Sequence, residues 1–173
     1  MNATISTTNF PVSGGVNTTS PVRLLLLASL LGAIMGVVFI IVQPMFGMDT
    51  LTSRHAAAYQ QLGNWTAAPA IFIAWVAHMA VSIFYGLLSG LVILKFPTLK
   101  MISLFALAFT WFTTLIAPPA NAAIVQLVSF QQLQIEKLPA LNFSFDVKFV
   151  LHLLFFAVIS AVLYVYNNKS SDA

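Results

Sequence analysis

Four stretches of this chain, residues 22–43, 69–94, 101–117 and 146–166, are apolar over lengths that soluble domains seldom bury. Crossing about 30 Å of hydrocarbon takes roughly 20 helical residues, and a spanning segment must satisfy its own backbone hydrogen bonds. The pattern therefore predicts an all-α integral membrane protein, a four-helix bundle set in a lipid bilayer. Composition agrees, since 60% of the 173 residues are hydrophobic and only 6% are charged, far from soluble averages. So little polar sequence remains that one four-span domain over 21–167 is expected, with no independent soluble domain. Residues 1–20, rich in Ser, Thr and Asn and free of charge, read as a disordered cytoplasmic tail, and 168–173 as a short one.

The segment borders carry local signals. Pro21 suits a helix start, Arg23 can reach back to the headgroups, and Gln43-Pro44 closes the first span. A cleaved leader fits poorly, because the apolar core is too long and no charge precedes it. The third segment, "MISLFALAFTWFTTLIA", is short for a span and stops at Pro118-Pro119, which points to a kinked or re-entrant path. Beyond it, "NAAIVQLVSFQQLQIEKLPALNFSFD" is polar at Gln131, Gln132, Gln134 and Glu136 and apolar at Ile124, Leu127, Val128 and Leu138. That alternation predicts an amphipathic piece lying at the membrane surface. The first loop holds another short helix, capped by Asp49 or Thr50 and stopped by Gly63. No internal repeat is visible.

The net charge of +3 rests on only seven Lys and Arg, dispersed at segment ends and in loops, so it signals topology and not nucleic-acid binding. Arg23, Lys95, Lys100 and Lys169 share one side of an even-numbered bundle, and Arg54, Lys137 and Lys148 the other. Lys95 and Lys100 bracket the tightest turn, so both termini are expected in the cytoplasm, with the two long loops outside a bacterial inner membrane. Without cysteine there is no disulfide and no thiolate metal site.

Small residues let membrane helices approach where lipid supplies no hydrophobic drive between them. The first span carries Ala28, Gly32 and Gly36, and the second Ser82, Gly86 and Gly90. These stripes suit packing against each other or, alternatively, a homo-oligomer or a larger membrane complex.

His78 sits in an apolar run, four residues before Ser82, and should face protein. The fourth span has its own polar series, Lys148, His152, Ser160 and Tyr164. Counted at about 1.5 Å per residue, His78 lies ~14 Å and His152 ~9 Å from the same side, levels at which the two rings can approach. Three readings follow. The rings are neutral, hydrogen-bonded parts of a polar core in a non-enzymatic accessory subunit. They ligate haem b, with Arg54, Lys137 and Lys148 near the propionates. Or they form a proton or solute pathway. Enzyme chemistry is not expected, because the four acids, Asp49, Glu136, Asp146 and Asp172, all lie outside the spans and leave no acid–base pair in the membrane core. His55 reads as a solvated loop histidine, and Asn2, Asn17, Asn64 and Asn142 begin glycosylation sequons.

The order "WVAH" from Trp75, "SIF" from Ser82, "KFPTLK" from Lys95 and a final helix with His152 near its entrance resembles the YagU-type family of small bacterial inner-membrane proteins. The resemblance covers roughly residues 70–166. It implies a multi-span protein linked to survival in acid, without defined catalytic chemistry.

Overall fold

The computed structural model describes residues 20–129 and 132–169. The expected N-terminal tail, with Asn2 and Asn17, and residues 170–173 lie outside the described residues. The described residues form five α-helices: α1 (Pro21–Val42), α2 (Leu51–Gly63), α3 (Ala67–Lys95), α4 (Leu99–Val128) and α5 (Val147–Lys169). Among the described residues there is no strand. All but α2 are long and apolar enough to span a membrane. The chain is an all-α, multi-pass membrane protein.

The helix lengths are unequal, and that builds one end of the molecule. With 29 and 30 residues, α3 and α4 reach ~44 Å, about 14 Å more than the hydrocarbon requires. Their excess at the end bearing the two long loops gives α2 something to pack on. Ala56 and Tyr59 of α2 bury against Ala70 and Ala74 of α3 and Val125 of α4, with Trp65 closing the cluster. The opposite end holds the short link between α3 and α4 and a second apolar cluster. There Leu24, Ile93, Ile102, Phe156, Ile159 and Leu163 pack together.

Small residues set the central contact. Gly32 and Gly86 lie backbone to backbone, so that a Cβ on Gly32 would stand 2.5 Å from the Ser82 carbonyl oxygen and 3.1 Å from the Gly86 Cα. Ala28 faces Gly90, and Gly36 faces Ser82. The stripes on α1 and α3 thus pack against each other.

The expected stop at Pro118-Pro119 and the separate amphipathic piece after it do not form. α4 runs through both prolines to Val128, and residues 132–146 are loop apart from a single 3-10 turn at Ile135–Lys137. A proline inside a helix leaves the carbonyl four residues earlier without its N–H. For Pro119 that carbonyl belongs to Leu115, and the backbone N–H of Asn142 supplies the missing donor at 2.9 Å. The returning loop therefore repairs the helix that the sequence would break. Asp146 then caps α5, its Oδ1 accepting from the N–H groups of Lys148 (2.9 Å) and Phe149 (3.2 Å), as a carboxylate at a helix start should.

Candidate functional site

Between the two apolar clusters the bundle is polar and incompletely filled. Its roof is α2, held by two bonds at its start. Thr50, one of the two expected caps, accepts from the Ser53 N–H at 3.1 Å. The fully buried Gln43 reaches from the 3-10 turn that ends the first span (Gln43–Phe46) to accept from the Leu51 N–H at 2.8 Å. At the other end Asn64 takes the left-handed conformation, φ 53°, one that Asn tolerates. The helix is thereby fixed with Thr52, His55, Ala56 and Tyr59 facing inward.

His55 is consequently not the solvated loop residue expected from the sequence. It is 7% exposed, lies edge-on to Tyr59, and neither ring nitrogen has a hydrogen-bond partner. The sequence carried the signal in the spacing of Thr52, His55, Ala56 and Tyr59, which puts all four on one helical stripe. Burial, the adjacent Arg54 guanidinium and nearby His78 lower its pKa to about 4, so the ring is neutral near pH 7.

Two adjacent chambers with shared walls lie beneath α2. The mouth chamber, about 210 Å³, is lined by Arg54 and His55 from α2, Thr114 from α4, and Lys148 and His152 from α5. The inner chamber, about 80 Å³, runs down to His78, Ser82 and Tyr85 of α3 and ends on Phe155 and Phe156. Phe39, Leu51, Ala117, Asn121 and His152 belong to both. Among the described residues, none lining either chamber is acidic. His55 also borders a groove of about 360 Å³ between α2 and the end of α4, where Lys137 lies.

His78 and His152 reach the inner chamber from different helices but are committed to different partners. His78 donates from Nε2 to the Gly36 carbonyl on α1 at 2.9 Å. His152 pairs through Nδ1 with the Thr114 hydroxyl on α4, also at 2.9 Å. No hydrogen bond joins the two rings among the described residues. Their shared neighbour is Phe39, stacked on His152 at 5.3 Å and tilted to His78 at 6.1 Å. A common iron bound through Nε2 of His78 would require that ring to give up its bond to Gly36.

Of the other polar residues singled out in the sequence, Ser82 lines the inner chamber and Lys148 the mouth. Ser160 and Tyr164 lie apart from the histidines, along an α4–α5 groove with Ser103 and Ala157. Sequence reasoning missed Phe39, Gln43, Thr114 and Asn121, each brought to the chambers by helix packing and unremarkable in its local context. No group of three or more His, Cys, Asp or Glu suited to a metal ion exists among the described residues.

No protein-family model, curated protein or solved structure matches the chain. Nothing in those comparisons bears on the YagU-type resemblance.

Proposed function

We propose that this chain is a non-enzymatic binding protein of the bacterial inner membrane, an accessory or sensing subunit that admits a small molecule from the long-loop side. The observation that carries the reading is the asymmetry of the bundle. The histidine-lined chambers lie beneath α2, whereas the core beyond Phe156 is packed with Leu24, Ile93, Ile159 and Leu163, each at most 1% exposed, and the α4–α5 groove on that half includes no histidine. A binding site with one entrance fits this packing better than a through-pathway, since convergent polar groups in an apolar pocket are the usual form of a ligand site. Absence of a lining carboxylate supports binding over acid–base catalysis.

Orientation follows from charge. Arg23, Lys95, Lys100 and Lys169 fall at the end away from α2, supporting cytoplasmic termini and an externally facing mouth. The acid-survival role implied by the YagU-type resemblance is compatible with histidines at an external mouth and rests on that resemblance alone.

Because the chain has no cysteine, single cysteines test the reading directly. With the chain in oriented vesicles, a membrane-impermeant maleimide should modify Asn121→Cys from the long-loop side and not from the other. Modification from both sides would instead establish a through-pathway.

A further inference from the structure

The mouth chamber combines three features whose chemistry converges on one ligand class. Two cations, Arg54 and Lys148, line it without an opposing carboxylate. The acid that caps α5, Asp146, has Oδ1 engaged by two backbone N–H groups of that helix, with Asn142 Nδ2 near its other oxygen. His55 is more than nine-tenths buried in the chamber wall, with both nitrogens unpartnered. Buried polar groups ordinarily find partners, so the orphaned imidazole marks a place where a ligand supplies one. A neutral imidazole offers one N–H donor and one acceptor.

The remaining walls set the rest of the ligand. Phe39, Leu51, Ala117, Pro118 and Pro139 surround the polar groups, and Phe155 and Phe156 end the inner chamber. An apolar body is therefore favoured over a bare inorganic anion. Chambers of about 210 and 80 Å³ fall below the roughly 300 Å³ at which drug-sized pockets begin, so the body is small. The planar fork of an arginine suits a carboxylate.

We infer that the mouth chamber binds a small organic carboxylate, its charged head held by Arg54, Lys148 and an N–H of His55, its apolar body directed past Phe39 toward the inner chamber. The inference rests on the proposed binding function and names its ligand class.

Sodium benzoate, its neutral isostere benzamide, and inorganic phosphate serve as probes of the full chain in nanodiscs. The readouts are the His55 imidazole resonances and calorimetry at pH 7. Benzoate should bind saturably, shift His55 and outcompete both other probes. Hydrogen bonds to charged groups imply that Arg54→Gln weakens benzoate by roughly 10- to 100-fold, and Lys148→Gln should act in the same direction. Arg54 is exposed, so its variant should fold. Benzamide binding as well as benzoate would overturn the carboxylate assignment while leaving a binding chamber in place. Phosphate competing on equal terms would overturn the apolar body. Silence of all three probes, with Asn121→Cys still labelled from one side only, would overturn the ligand class and spare the one-sided chamber.

Discussion

The imidazole of His78 and the carbonyl of Gly36 meet at 2.9 Å across the α1–α3 contact, and the missing side chain of Gly36 makes that approach possible. A Cβ there would lie 2.6 Å from the Ser82 Oγ, 2.7 Å from the Ser82 Cβ and 3.6 Å from the His78 Nε2. Gly36→Ala should therefore force the helices apart, at about 1–3 kcal/mol for overpacking. Removing the serine hydroxyl relieves only the first of these contacts. Gly36→Ala combined with Ser82→Ala should recover part of the loss, measured by unfolding in detergent. A neutral Gly36→Ala would mean the helices do not meet as described.

The two glycines of α3 should differ in tolerance. At Gly86 an added Cβ collides with the Ala28 carbonyl oxygen and stands 2.9 Å from the Gly32 Cα, both backbone. At Gly90 it meets the Ala28 Cβ at 2.8 Å and the Leu25 Cδ2 at 3.2 Å, and the leucine can rotate. Gly86→Ala should cost more than Gly90→Ala, with the first in the range of about 2–3 kcal/mol and the second about 1 kcal/mol. Equal losses in parallel unfolding titrations would refute the backbone contact.

Legibility differed among these elements for physical reasons. α1, α3 and α5 begin and end within three residues of the borders read from the sequence, because continuous hydropathy determines where a span can lie. α4 did not, because its continuation past Pro118-Pro119 depends on Asn142, more than twenty residues downstream. No local pattern records that donor. The histidines were visible as intramembrane polar groups, and their shared level followed from helix rise. Their partners, Gly36 and Thr114, were not, since rotation of one helix about its axis is fixed by packing. His55 was obscured by its place in a loop, although its helical stripe was present in the spacing.

Restoring an N–H at the second proline tests the repair of α4. In Pro119→Ala, an in-helix donor competes with the Asn142 N–H for the Leu115 carbonyl, which can accept from both or from one. Amide exchange at Asn142 should accelerate by roughly tenfold, the equivalent of about 1.4 kcal/mol in that bond. α4 itself should stay helical by circular dichroism. Unchanged exchange at Asn142 would show that the Leu115 carbonyl serves both donors and that the Asn142 bond does not depend on the gap the proline leaves.

A neutral His55 under α2 makes stability depend on pH with a defined sign. Its folded pKa is about 4 against an ordinary 6.5. Above 6.5 neither folded nor unfolded ring binds a proton, and the contribution is constant. Between 6.5 and 4 the unfolded chain takes the proton first, so stability falls as pH drops, by up to about 1.4 kcal/mol per pH unit. Below 4 both forms are protonated and the slope ends. Arg54 on the same helix, His78 on α3, and His152 and Lys148 on α5 all adjoin this region, so the His55 share must be isolated by difference. Thermal midpoints of the wild type and His55→Gln, recorded from pH 7.5 to 4, should converge as the pH falls, because the variant lacks this loss. Arg54→Gln should make the total loss smaller and end the descent at a higher pH, because removing a neighbouring positive charge that disfavours His55 protonation brings the folded pKa closer to the unfolded one. Parallel curves for wild type and His55→Gln would place His55 in water instead of beneath α2.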